Sequence, residues 1–484
     1  MTDRAALWWL ILAASLVRLL MAHAIGLGID ESYMVAAGRT LRLGYFDHPP
    51  IAWWLSSGIA HLLGSEAPVV VRLPFVLLGA ASTWMVARLG EDFAGRRAGL
   101  WAALAFTLAP VFGVTSSGWV LPDGPLNAAL LAMGLCLVRA LRADRGGWGW
   151  WLAAGAAGGL ALLSKYTAVL ALAGAFAYLL TQPRDRRWLA RPQPWAAAVL
   201  AALLFAPVIL WNAEHGWASL AFQGGRAEAV RLQPFGPLAV LGGAALFLLP
   251  WIWAPMMAEF ARALRRGPAD RAAWLLCWLG AGPILLFAVV ALWSRHVLFH
   301  WAAPGYLFLF PLLGAALARW DPSHPAIRRT AAATTALLLA ALAVVAIEVR
   351  WNPVPLPKDP ALQAIDLTPL RAALARRGLL GRVIAAPNWS DTGKVDYGLG
   401  GAVPVLCLNT DAREYAFAPG PAAHLGQDIL IVAPRQDAAR IQAAYGALFD
   451  RIDTLPPALL DLPGRPGHAV PLFLGRRLRH WPPR

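Results

Sequence analysis

Charge is what this 484-residue chain has least of. Asp, Glu, Lys and Arg make up 14% of it, against roughly 25% in soluble globular proteins. Acidic groups are the scarcer kind, 27 against 42 Lys and Arg, for a formal net charge of +15. Cysteine is nearly missing: Cys136, Cys277 and Cys407 stand far apart and suggest no disulfide framework. No Walker loop is present, and Gly398-Leu399-Gly400-Gly401 departs from the dinucleotide fingerprint and reads as a turn. These shortages exclude a disordered chain, a fibrous one and an ordinary cytosolic enzyme. What is abundant is apolar: 58% hydrophobic residues, 24 Trp and a mean hydropathy of +0.54. The remaining class is a polytopic α-helical membrane protein. In that class a basic excess marks cytoplasmic loops rather than a nucleic-acid partner.

Apolar stretches long enough to cross a bilayer lie at about 6–26, 67–87, 98–115, 121–141, 148–164, 166–182, 195–211, 235–256, 272–292, 300–318 and 330–348. That predicts about 11 transmembrane helices. The first run has no small-residue cleavage site after it and reads as a retained anchor, not a signal peptide. Cations then orient the chain. The N-terminus and every second loop carry 18 Lys and Arg; the alternate loops carry 6. The threefold bias puts the N-terminus in the cytoplasm and everything after the eleventh span outside. Residues 1–348 are therefore expected to form the membrane domain, with a long first outer loop at 26–66. From 349 the composition shifts. A Pro-rich linker is followed by short buried strands at 382–386, 403–408 and 428–433 and a helical pattern at 437–449, a small α/β domain outside the membrane.

The polar residues within the apolar part gather at one end of the spans. The first outer loop holds Asp30-Glu31-Ser32-Tyr33 and then Gly44-Tyr45-Phe46-Asp47-His48-Pro49-Pro50. Asp30 can cap a short amphipathic helix at 31–43, but capping gives no reason for an Asp-His pair pinned by two prolines. Asp123 opens the fourth span at its outer end, where a carboxylate needs a polar cavity or a partner. Lys165 separates two apolar runs; it either snorkels or presents a cation at headgroup level, suited to a phosphate. Arg295, His296 and His300 follow in the fifth outer loop. None of these spacings is a metal motif, so no metal site is assigned.

Taken in order, Asp30-Glu31-Ser32-Tyr33, Tyr45-Phe46-Asp47-His48-Pro49-Pro50, Arg72-Leu73-Pro74, Pro122-Asp123-Gly124-Pro125 and Ser164-Lys165-Tyr166-Thr167 resemble bacterial GT-C glycosyltransferases. These are membrane enzymes related to protein O-mannosyltransferases and to the aminoarabinose transferase of lipid A. The resemblance covers about residues 25–310. It implies transfer of a sugar from a polyprenyl-phosphate donor to a lipid, glycan or protein acceptor, lipid A among them, on the outer face of a bacterial inner membrane. It also implies site residues. Asp30 is the expected base and Asp123 a second, orienting carboxylate. Glu31, Asp47 and His48 shape the first loop and sugar pocket, with Tyr33 and Tyr166 among the substrate-binding residues. Lys165 meets the donor phosphate, with Arg295, His300 or Arg72 as further cations.

A phosphate is a good leaving group, so it needs cations and dipoles more than a proton. A hydroxyl acceptor needs a carboxylate near its proton, and direct displacement inverts the anomeric centre. No cofactor is required, because the donor is a monophosphate. Two other classes are weighed. A lipid-linked sugar flippase would place polar groups near the middle of the spans, where only Arg18 lies. An O-antigen ligase or polymerase would have a large outer loop between late spans, and the loops here are short.

Overall fold

The computed structural model of the chain describes residues 2–143, 147–226, 231–294, 297–321, 324–354 and 360–481. Each of the eleven apolar stretches is helical, but they are not eleven full-length spans. Among the described residues, seven helices are long and apolar enough to cross a membrane: Asp3–Ala24, Pro68–Ala94, Asp123–Arg142, Pro192–Glu214, Arg271–Val290, Phe299–Trp320 and Ala326–Trp351. The stretches at 148–164 and 166–182 form helices of 15 and 14 residues, Trp148–Leu162 and Ala168–Thr181. At 1.5 Å per residue these are shorter than a hydrocarbon core of about 30 Å. The stretch at 98–115 ends its helix at Leu108 and continues as a widened turn at Val111–Thr115. The stretch at 235–256 breaks in two, with a bend of 118°. Its cause is local: Pro250 has no N–H to give the helix and pushes Leu249 out of the helical region, to φ 70°.

The chain divides into two compact units. The first comprises Met1–Leu19, Arg42–Ala52 and Leu73–Leu339. Its core is an apolar helix bundle, centred in part on Phe106, Phe112 and Phe310, whose rings lie 5.3–5.6 Å apart. Small residues let its helices approach closely, as helices in a membrane require. A Cβ on Gly155 would meet the Ala197 carbonyl at 2.3 Å.

The second unit comprises Leu20–Leu41, Trp53–Arg72 and Ala340–Arg484. Among the described residues its sheet has five strands, in the order β2-β1-β3-β5-β4. Strands β1 (Val383–Ala386), β2 (Val405–Cys407) and β3 (Ile429–Val432) are parallel, buried and apolar, where the sequence predicts them. The predicted helix is Ala438–Tyr445. The sequence reading lacks the hairpin of β4 (Phe449–Leu462) and β5 (Arg465–Leu478), which pairs with β3 antiparallel. The expected boundary at 348/349 also differs from the observed division. Helix Ile29–Gly38, from the first half of the outer loop, packs on helix Trp389–Leu399. The approach is so close that a Cβ on Gly393 would lie 2.6 Å from Tyr33 Cα.

Candidate active site

In the first unit, Asp123 stands in the opening turn of helix Asp123–Arg142, the end of a helix that favours a carboxylate. Lys165 lies in the turn between Trp148–Leu162 and Ala168–Thr181, its N–H still bonded to the Ala161 carbonyl. Its Nζ donates to Asp123 Oδ1 at 2.9 Å, and both side chains are mostly buried. The Asp47-His48 segment reaches the same turn. The Tyr45 N–H donates to the His48 carbonyl, and the Ile51 N–H to the Leu163 carbonyl, two residues before Lys165. Gly44 lets the loop pass beneath Trp211, where a Cβ would touch the indole at 3.1 Å.

Asp47 is buried, and Gln223 Nε2 donates to its carbonyl. Burial holds the His48 imidazole neutral, its pKa down at about 4; Asp47 opposes that shift and Lys165 adds to it. His300 and Arg226 complete the group: His300 lies within electrostatic range of Lys165 and Asp123, and Arg226 within range of His48 and His300. The Arg226 guanidinium sits over the Phe222 and Trp301 rings, at 4.4 and 5.3 Å. Tyr166 Oη is within 2.7 Å of Ser219 Oγ and 3.5 Å of Asn212 Nδ2. The arrangement offers two cations, two carboxylates and two histidines at one end of the bundle. It suits an anionic group and a polar ring together.

The remaining sequence-predicted residues lie in the second unit. Asp30 is exposed in the first turn of Ile29–Gly38 and is not its cap. Gly28 holds the cap position, and its N–H donates to Glu31 Oε2 at 2.8 Å. Glu31 and Arg72 are committed to each other, Arg72 Nε and Nη2 donating to the carboxylate at 2.8 and 2.5 Å. Arg72 also donates to the Ala22, Ile25 and Gly26 carbonyls. Each side chain is about 3% exposed or less, so the pair fastens the end of the first helix to the start of Ile29–Gly38. Tyr33 is buried as well. Its Oη accepts from the Glu414 N–H at 3.2 Å and its ring meets Trp389 edge-on. The geometry thus gives Glu31, Tyr33 and Arg72 internal bonds rather than open faces. Removing one partner of such a buried pair costs about 3–5 kcal/mol. Arg72→Met is expected to lower the unfolding midpoint in detergent sharply, and Glu31→Gln on top of it to restore part. A parental midpoint for Arg72→Met would refute the fastening role.

Asp47, His48, Asp123, Lys165, Tyr166 and His300 are thus brought together in one unit. Asp30, Glu31, Tyr33 and Arg72 belong to the other, and Arg295 lies outside the described residues. Sequence reasoning did not single out Arg226, Gln223 or Ser219. Arg226 entered only as a loop charge, and nothing in its neighbours marks it; its two aromatic faces come from residues 4 and 75 positions away.

Residues 47–211 match the family profile described as dolichyl-phosphate-mannose-protein mannosyltransferase. A lipid A galacturonosyltransferase of Rhizobium johnstonii is 25% identical over 325 residues. That match spans 64% of this chain and 64% of the relative, under two thirds of its length. Two crystal structures of ArnT from Cupriavidus metallidurans share the fold. The apo form covers 98% of both chains, with a TM-score of 0.65. The form bound to undecaprenyl phosphate covers 96% of this chain and 97% of that one, with a TM-score of 0.66; both are 17% identical. The chain is a multi-pass membrane protein with the fold of these ArnT structures, and its residues 47–211 are similar to the mannosyltransferase family.

Proposed function

We propose that this chain transfers a sugar from a polyprenyl-phosphate donor to an acceptor of the bacterial envelope, with lipid A the leading acceptor. The observation that carries the reading is the buried Lys165–Asp123 pair, with His48, His300 and Arg226 around it, at one end of a GT-C bundle. The ArnT of like fold was crystallised with undecaprenyl phosphate, and the curated relative is a lipid A transferase. Both support this donor and acceptor.

The chemistry needs few parts. The acceptor hydroxyl oxygen attacks the anomeric carbon while the bond from that carbon to the phosphate oxygen breaks. Its electron pair leaves with the polyprenyl phosphate. Lys165 and Arg226 stabilise the charge that develops there, where a fixed cation in a dry site acts most strongly. Asp30 takes the hydroxyl proton, and the anomeric centre inverts. Asp123 orients Lys165; Asp47 and His48 shape the sugar pocket. His48, neutral at working pH, acts as a hydrogen-bonding group rather than a cation.

Orientation rests on the loop cations: N-terminus in the cytoplasm, residues 350–484 outside, in the inner membrane. An impermeant thiol reagent should label a single cysteine placed at Gly225 in intact cells and spare one at Gly267; labelling at Gly267 would reverse the topology. The transfer itself is tested by lipid and glycan mass spectrometry of a deletion strain. One sugar residue should be lost from lipid A and return with the parental gene. An unchanged lipid A moves the acceptor to another glycan; an unchanged envelope altogether overturns the reading.

A further inference from the structure

In the second unit, β1 runs into helix Trp389–Leu399, which packs with Ile384, Ala386, Leu430 and Val432. Strand β3 runs into helix Ala438–Tyr445, which packs with Ala385, Ile429 and Ile431. Alternate residues of a strand point to opposite faces, so these two helices cover opposite faces of the sheet. Neighbouring parallel strands whose connections leave to opposite faces open a crevice at their carboxyl ends, which is where open α/β sheets bind ligands. A crevice of about 430 Å³ lies there, within the size range of small-molecule sites.

Its lining says what it can hold. Asn388 and Asp391 come from the end of β1, Asn409 from the end of β2, and Arg435, Gln436 and Arg440 from the end of β3. A nucleotide is disfavoured. The turn Pro387-Asn388-Trp389 has no glycine to let a diphosphate approach the backbone. The cap also uses the helix's own donor, since Asn388 Oδ1 accepts from the Asp391 N–H at 2.9 Å. Recognition must therefore come from side chains. Arg435 Nε and Nη2 bond Asp391 Oδ1 and Ser390 Oγ, each at 2.6 Å, which fixes the guanidinium in place. Arg440 stands at the rim, 63% exposed, with its nearest carboxylate, Asp437, 4.0 Å away. Within the lining two guanidinia stand against one carboxylate, Asp391, while Asp437 lies outside it and reaches Arg440 only at 4.0 Å. Side-chain amides offer a donor and an acceptor on one plane, which matches the paired hydroxyls of a sugar ring.

We propose that this crevice binds an anionic saccharide, a pyranose ring bearing a carboxylate or a phosphate. Arg440 and Arg435 take the anionic group and the Gln436 amide the ring hydroxyls, since Asn409 Oδ1 already accepts from the Asp411 N–H at 2.8 Å. The proposal is read from this unit alone and stands apart from the transfer reaction.

The test is hydrogen exchange, followed by mass spectrometry, on the full-length protein in lipid nanodiscs. The probes are glucuronate, glucose 6-phosphate, glucose and inorganic phosphate. Glucuronate or glucose 6-phosphate should slow exchange in peptides covering 388–391 and 435–440, at lower concentration than glucose or phosphate. Arg440→Ala combined with Gln436→Ala should raise the concentration needed about tenfold or more. It should leave the exchange of β4 and β5 unchanged, which shows the unit still folded. No protection at those segments, equal protection by glucose or by inorganic phosphate, or an unaffected double variant would each overturn the proposal.

Discussion

Asp30→Asn is expected to leave the protein inserted, folded and able to bind donor, yet to cost a hundredfold to ten-thousandfold in transfer rate. The size of that gap is what makes the substitution informative. Asp30 is exposed in the first turn of Ile29–Gly38, and the cap duty belongs to Gly28 and Glu31. Changing Asp30 to its amide therefore removes no cap. It removes one negative charge at a helix N-terminus, worth about 0.3–1 kcal/mol of stability. Asn has nearly the same shape and cannot accept the proton from an acceptor hydroxyl. Steady-state transfer with purified donor, beside a binding curve for the same donor, separates the two contributions. A variant that keeps a tenth of parental turnover removes Asp30 as the base and moves the assignment to Asp47 or Asp123.

Much of this architecture was readable because hydropathy is a long-range average. Helices such as Pro192–Glu214 hold few charges over 23 residues, and no competing element explains them. Chain breaks were harder. The 118° bend follows from one Leu-Pro step inside an otherwise apolar run, and averaging hides it. The hairpin was illegible for a related reason. Its strands carry Pro456, Pro457, Pro466 and Pro471, and proline argues against a central strand. β4 is an edge strand, and its ladder shifts register between Leu455 and Ala458, where the proline pair falls. β5 lies between β3 and β4, and its Pro466 and Pro471 fall opposite the two register shifts, where the ladder is already interrupted.

The site shows the same division. Motif order located Asp47, His48, Asp123 and Lys165, but residue types alone did not disclose that Lys165 and Asp123 are partners 42 positions apart. Nor did they disclose that Glu31 binds Arg72, 41 positions on. In one pair the side chains keep 11% and 22% of their exposure; in the other they keep 2% and 3%. Burial, which decides between ligand contact and internal bond, is a property of packing and is not written in either motif.

Lys165→Ala is expected to weaken donor binding about ten- to hundredfold, the equivalent of roughly 1.5–3 kcal/mol for a charge-assisted contact. Lys165→Arg should retain part of the affinity, since a lipid phosphate asks for charge and Arg supplies it with different geometry. The complication is Asp123. With an ammonium 2.9 Å from a carboxylate, Lys165→Ala also strands Asp123, and lost affinity could come from that alone. Asp123→Asn resolves it. If Lys165 faces the phosphate, Asp123→Asn keeps the ammonium and leaves donor affinity near the parental value, while turnover falls because the lysine loses its orienting partner. If the pair is purely internal, Lys165→Ala and Asp123→Asn lower the unfolding midpoint together and donor affinity follows neither. The double variant closes a cycle in which coupling between contacting residues reads out directly. Should Lys165→Ala bind a polyprenyl-phosphate sugar as tightly as the parent, the lysine is a partner for Asp123 only, and Arg226, held on its two aromatic rings, becomes the cation that meets the phosphate.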